Sequence, residues 1–555
     1  MTRFFALLLL TLPTASLPAA DPPEKFIADY VAKLKPLELA NNIGWWNAST
    51  TGKDEDFQKK QETQDRLDAF LADPARFQQL KLIRERGVND PLLARQVEVL
   101  YLQCLEKQVD PLLLREMNAL SNSIEKTFNT YRPKIGDEEL TTNAVRQVLL
   151  KSDSSERRQA VWNASKGVGA AVEKDLIKLV RLRNQAAREL GFKDYHVLKM
   201  FQSEQEQTEI LKLFDELDEL TREPFRQAKA EIDERLAKHC GVTVEELRPW
   251  HYHDPFFQDS PAVFGADLDG LYGDQDIIKL CRVFYQGIGL PVDDVLERSS
   301  LFEQPGKSPH AFCTDINRDG DVRVLANVVP SERWMETMLH ELGHAVYTSK
   351  NIPDSVPYLL RDASHILTTE GIAMMFGRLS KNGRWQRGMD VASKDAAERK
   401  KVSADAARVL RNQLLIFSRW CQVMLRFEKG LYENPEQDLN KLWWDLVEKY
   451  QMVKRPEGRD EPDYASKIHV VVAPVYYHNY MMGELFASQL HHTIAREVGN
   501  NAAPSATVYI DNPQVGRFLT RKVFAPGRTL SWNELTEFAT GEPLNPKAFA
   551  ADFKP

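Results

Sequence analysis

The sequence predicts an all-α protein, and three observations carry that prediction. Apolar residues recur at three-and-four spacing over long stretches, glycine is sparse, at 27 of 555 residues, and strand-like alternation is confined to one short hairpin. The length far exceeds what one small core needs. It implies either three or four compact units or one large protein built around a cleft.

Taken in order, the elements begin with a leader. "MTRFFALLLLTLPTASLPAA" has an early Arg3, an apolar run from Phe4 to Leu12 and small residues up to Ala20. This pattern predicts a secretory signal peptide over residues 1–20, too short to span a bilayer comfortably. No later stretch approaches a membrane span, so the expected mature chain, 21–555, has no membrane anchor and is secreted or periplasmic. "EKDLIKLVRLRNQAARELG" reads as helix. So does "EQTEILKLFDELDELTREPFRQAKAEIDERLAKHCG", with an expected break at Pro224 and a stop near Gly241. "WHYHDPFFQDSPAVFGADLDGLYGDQD", "VKRPEGRDEPDY" and "GNNAAPSATVYIDNP" read as loops. "HAFCTDI" and "DVRVLANVV" flank "NRDG" and predict a hairpin. "DINRDGD" has the start of a calcium loop, but the twelfth position is Ala326 rather than Glu, so the hairpin reading stands. A further long helix follows in "AERKKVSADAARVLRNQLLIFSRWCQVMLRF".

Composition removes several function classes. Net charge is −8 with no basic block, so nucleic acid is not an expected partner. The five cysteines (104, 240, 281, 313 and 421) include no Cys-x-x-Cys pair, which excludes a cysteine zinc site. An oxidising compartment leaves room for one or two disulfides, with at least one thiol over.

The segment that carries chemistry is "MLHELGHAVY". Residues four apart share a helix face, so His340 and His344 can each offer a nitrogen to one zinc ion. Glu341, offset by about 100°, stands beside the metal as a general base for a bound water. Gly343 leaves room for another element to approach. The apolar neighbours Met338, Leu339, Ala345 and Val346 place the helix in the interior rather than on the surface. A catalytic zinc needs a third protein ligand and an open position. Downstream, Glu370 lies in an apolar helical run where an unpaired carboxylate is costly, and His365 is its rival.

With these residues the chain resembles the angiotensin-converting enzyme family of zinc peptidases. In that family the zinc helix is followed by a Leu-Arg-acid segment and a Glu ligand nine residues after the Arg. Here Leu360-Arg361-Asp362 precede Glu370 at that spacing, so the resemblance selects Glu370 and makes His365 a bystander. "LWWDLVEKYQ", "PHAF" and "SKIHVVVAPVYYHNYMMGELFASQ" match further family segments, with the sharpest agreement between 309 and 489. The resemblance implies two helical halves around a deep cleft, a gluzincin arrangement with the hairpin beside the zinc helix, forming one peptidase domain. It implies one Zn2+ per chain, oligopeptide substrates and release of C-terminal dipeptides. His340, His344 and Glu370 would bind the metal, and Glu341 would be base and then acid. Tyr480 and His469 would donate to the oxyanion. His310 and Ala311 would hold the substrate backbone by strand addition. Lys467 and a tyrosine, Tyr477 with Tyr476 as the alternative, would meet the peptide terminus. An oligoendopeptidase with the same chemistry and a catalytically inactive peptide-binding relative are the rival readings.

Departures from the family pattern also carry expectations. Met374 stands where the family has an acid supporting the zinc ligands. The glutamine that assists carboxylate binding is expected to be replaced, by Tyr252. The arginines that hold chloride in vertebrate members correspond to Val447 and Asn479, so chloride activation is not expected.

Overall fold

Helices form where the three-and-four spacing predicts them, and they account for most of the computed structural model, which describes residues 22–265 and 268–554. The expected leader lies outside the described residues. Helix α1 (Pro23–Thr51) starts at a proline and stops at Gly52, whose φ of 66° suits a glycine. With α2 (Asp54–Leu71) and the segment to residue 105 it forms a separate apolar cluster around Phe26, Leu34, Leu80 and Leu100.

The main core runs from Val109 to Phe549 and takes in every long helix that follows. Two short strands, β1 (Lys134–Ile135) and β2 (Glu138–Glu139), pair antiparallel ahead of α3 (Ser155–Glu189). Helix α4 (Gln207–Cys240) ends on Gly241 as predicted but passes through Pro224 without a break. The residue whose carbonyl loses its donor there, Leu220, is exposed. Phe225, Ala228 and Ile232 hold the other face in the core.

Strands β3 (Phe312–Asp315) and β4 (Val322–Leu325) pair antiparallel, from Phe312 opposite Leu325 to Asp315 opposite Val322. The hairpin is shorter than the sequence suggests because Ala326 turns away, its N–H donating to the Ser300 carbonyl at 2.8 Å. The polar residues of the turn are used internally. Asp315 accepts from the N–H groups of Arg318 and Ser349, and Asn317 accepts from those of Asp319 and Asp321. Helix α1 lies across this hairpin: Asn42 donates to the Ile316 carbonyl at 3.0 Å, and the Trp45 ring sits 4.1 Å from Phe312.

Four further helices build the site: α5 (Glu332–Val346), α6 (Ile366–Gly377), α7 (Ala396–Glu433) and α8 (His478–Glu497). The room for disulfides is not used. All five cysteines are free thiols and four are buried, each in its own packing environment. Among the described residues no helix is long and apolar enough to cross a membrane.

Candidate metal centre

Three helices meet at glycines, and their contacts set the geometry. Ser331 caps α5 by accepting from the Trp334 N–H. A Cβ on Gly343 would come within 2.8 Å of the Ala373 Cα, so α5 and α6 touch there backbone to backbone. A Cβ on Gly371 would fall 2.8 Å from the Gly483 carbonyl, which brings α6 equally close to α8. This packing sets Glu370 over the two histidines. His340 Nε2 and His344 Nε2 are 3.1 Å apart, and Glu370 Oε2 is 3.6 Å and 3.8 Å from them.

These separations are the edges of a tetrahedral site with ligand bonds near 2.0–2.2 Å. The three ligand atoms lie within 4.8 Å of one another. His344 Nδ1 bonds Thr369 Oγ1 at 2.8 Å, which directs Nε2 to the centre. Burial holds His340 down at about 4 and His344 well below its usual range, so both rings are neutral with lone pairs free. Burial pushes Glu370 up to about 7; burial and then Glu370 push Glu341 up to about 8. Two carboxylates enclosed with two neutral imidazoles call for a cation, and this donor set fits zinc. Glu341 is also held from the strand side, where the Cys313 N–H donates to it.

The tyrosines separate by environment. Tyr476 and Tyr480 pack ring to ring at 5.1 Å, and burial and then the charge of Glu370 raise both hydroxyls. Tyr477 turns the other way, its hydroxyl donating to Gln258 Oε1 at 3.3 Å. Lys467 Nζ donates to the same oxygen at 2.7 Å and lies 5.1–5.4 Å from the ring centres of Phe256, Trp420 and Tyr477. Lys467 is 7% exposed, and burial lowers it to about 8. His469 packs on Tyr477 at 5.1 Å, with its buried Nδ1 unpartnered.

The remaining expected residues fall as follows. His310 is exposed, and Ala311 sits one residue before the β3 ladder rather than on it, because β4 ends opposite Phe312. His365 caps α6, its Nδ1 accepting from the Leu367 N–H at 3.1 Å, and ligates nothing. The Tyr252 hydroxyl donates to Asp233 at 2.9 Å and accepts from Lys229 at 2.8 Å, whereas the glutamine beside Lys467 and Tyr477 is Gln258.

The family profile described as angiotensin-converting enzyme matches residues 19–242 and 268–555. The chain belongs to the angiotensin-converting enzyme family. Among its relatives, a Drosophila melanogaster angiotensin-converting enzyme-related protein is 21% identical over 299 residues, 51% of this chain and 47% of that protein. The Mesocricetus auratus angiotensin-converting enzyme is 22% identical over 442 residues, 74% of this chain and 33% of that protein. The Theromyzon tessulatum enzyme is 23% identical over 296 residues, 50% and 46%. The chain thus spans less than half the length of these curated relatives.

Against the family pattern, sequence reasoning missed Gln258, Thr369 and the Cys313 amide. Gln258 sits in an irregular loop with no period to single it out. Thr369 directly precedes Glu370, and that position was the available signal. A backbone amide leaves no mark in a sequence at all. Thr369 bears on the place of Met374: the side chain that orients His344 comes from the residue before Glu370, not from one turn after it.

Proposed function

We propose that the protein is a secreted or periplasmic zinc metallopeptidase that removes dipeptides from the C-termini of oligopeptides. The observation that carries the reading is the convergence of His340, His344 and Glu370, with Glu341 beside them. When bound there, zinc polarises the scissile carbonyl and lowers the pKa of a water toward about 7.

The chain's own residues supply the remaining functions. Glu341, oriented by the Cys313 N–H, takes the proton of the attacking water and delivers it to the leaving amine. Tyr480 donates its O–H to the oxyanion, with His469 as a second donor. His310 and Ala311 hold the substrate backbone at the open end of β3. Lys467, Gln258 and Tyr477 form a clamp for the terminal carboxylate, which sets the cleavage point two residues in. Two helical halves forming one domain around a deep cleft would exclude folded proteins.

The test is mass spectrometry of products from an unbiased peptide mixture, with and without a chelator. The expected products are C-terminal dipeptides that vanish with the metal. Internal cleavage indifferent to the peptide terminus would favour the oligoendopeptidase reading. No turnover of any peptide by the zinc-loaded protein would favour the inactive relative.

A further inference from the structure

A cavity of about 290 Å3 opens beside the metal centre. His340 and Glu341 belong to its wall, with Glu336 and Thr337 one turn back on α5. Helix α7 contributes Gln413 and Leu414. One turn further along α7, Phe417 packs on the clamp tyrosine, Tyr477, with ring centres 6.2 Å apart. A peptide whose terminal carboxylate meets Lys467 and whose scissile bond meets the metal therefore lays its last residues along this cavity.

The charges around it are unevenly met. Arg378 and Glu484 on its wall pair with each other and cancel. Lys381 lies 3.1 Å from Glu332 and 2.7 Å from Glu336, so one ammonium serves two carboxylates. On the clamp side, Asp259 directly follows Gln258 and is exposed, with no hydrogen bond or ion pair among the described residues. It lines the neighbouring cavity with Asp254, Arg146 and Lys166. There Lys166 is turned to Ser466 Oγ at 3.3 Å and to the Phe256 ring, and Asp254 accepts from the Phe256 and Gln258 N–H groups. Burial between the cleft walls and then Asp254 raise the Asp259 carboxyl, Arg146 and Lys467 lower it, and Glu336 raises it. Asp259 thus lies within electrostatic reach of both the clamp lysine and the acid on α5. Once a terminal carboxylate occupies Lys467, the pull of that lysine on Asp259 is spent, and Asp259 and Glu336 repel each other with too little positive charge to offset it.

Resting on the peptidase reading, we propose that this cavity receives the side chain of the substrate's C-terminal residue, and that Asp259 and Glu336 select Lys or Arg there. An ammonium or guanidinium group restores the positive charge that the terminal carboxylate has taken up, and it brings several donors to carboxylate oxygens that lack them. An acidic side chain would meet the two carboxylates with like charge. An apolar one would cover Asp259 and leave it unpaired.

The experiment uses the zinc-loaded full chain and free-acid peptides that end in Lys, in its uncharged analogue norleucine or in Glu, read as kcat/KM at matched ionic strength. The expected order is Lys, norleucine, Glu, with Lys about ten-fold or more above norleucine. Asp259→Asn and Glu336→Gln should each narrow the gap between Lys and norleucine, and together they should close it. Glu336→Gln also loosens Lys381, so a second variant is made at the exposed position: Asp259→Lys should raise Glu above Lys. Equal rates for Lys and norleucine, or a preference for Lys that survives both neutral substitutions, would overturn the proposal. Calorimetric binding of the same peptides to zinc-loaded Glu341→Gln separates this inference from the peptidase reading. Tighter binding of the Lys peptide, lost when Asp259→Asn is added, upholds the selection even without turnover, and equal affinities reject it.

Discussion

The proposed metal centre and the proposed terminal clamp are both largely enclosed, and they hold ionisable groups of opposite sign. At the centre, Glu341 and Glu370 are enclosed with two neutral imidazoles, and a bound cation would stabilise their charged forms. At the proposed clamp, Lys467 is enclosed by three aromatic rings with a glutamine oxygen as its partner, and an anion there would pair with its charge. The supports differ as well. The centre stands on helices locked at Gly343, Gly371 and Gly483. The clamp is assembled from irregular segments: a loop, the end of a 3₁₀ turn at Asp463–Ser466 and the residue that precedes α8. Chemistry that tolerates little displacement sits on rigid elements, and recognition sits on loops. On this division, changes at the centre should act on kcat and changes at the clamp on KM.

The largest effect should come from the centre. Dialysis against a chelator should abolish hydrolysis and zinc should restore it; full activity in a sample shown by metal analysis to be zinc-free would break the division at its root. Glu341→Gln should retain zinc by the same analysis and lose about 10²–10⁴-fold in kcat, because the attacking water then lacks its base.

Next come the tyrosines, which lie where the two regions meet. Tyr480→Phe should lower kcat by roughly 10²-fold or more with little change in KM. Tyr477→Phe should do the reverse, since its hydroxyl meets Gln258. An exchange of these two outcomes in steady-state kinetics would mean that the clamp and the oxyanion site have been assigned to the wrong rings.

The same division explains what could be read without coordinates. The helical period places His340, Glu341 and His344 together within five residues, and the family spacing finds Glu370 on the next helix. The clamp depends on residues 209 and 219 positions apart, in loops that have no period. Tyr252 was a natural substitute for the missing glutamine because it lies in the same loop. Its hydroxyl is spent on Asp233 and Lys229, and that competition exists only in three dimensions. The long helices were legible, except for the passage through Pro224; the short helix Asp269–Tyr272 and the β1–β2 pairing were not. A proline is expected to stop a helix, and whether it does depends on the exposure of the carbonyl it orphans.

At the clamp the expected effects are smaller. Amidating the peptide terminus, or Lys467→Met, should cut kcat/KM by about ten- to a hundred-fold, and the two losses should not add. Burial lowers Lys467 to about 8, so its charge is present below that pH and lost above it. KM for free-acid peptides should therefore rise as pH passes upward through about 8, while KM for amidated peptides stays flat. Parallel pH profiles for the two would remove Lys467 from the clamp.

The smallest effect expected is that of chloride. The resemblance sets Val447 and Asn479 against the vertebrate arginines, and both are buried; Asn479 is engaged by the Gln205 amide at 2.7 Å. Arg361 is no substitute, since it is bound to the Val356 and Asp354 carbonyls and paired with Asp354 and Asp319. A buried chloride needs a cation or several N–H donors to offset its desolvation. Among the residues that line the small pocket with Val447 and Trp444, the cationic one is Lys166. Burial lowers Lys166 to about 7; Asp463 and Asp254 raise it, and Arg459 and Lys467 lower it further. Its charge is thus mostly absent at pH 8 and gained as pH falls below 7. kcat/KM in sodium chloride and in sodium acetate, at matched ionic strength so that screening cancels, should be nearly equal at pH 8. A chloride effect that grows on acidification and disappears in Lys166→Met would place an anion on that lysine. A several-fold stimulation at pH 8 would instead mean that a fully charged group, not Lys166, holds the ion.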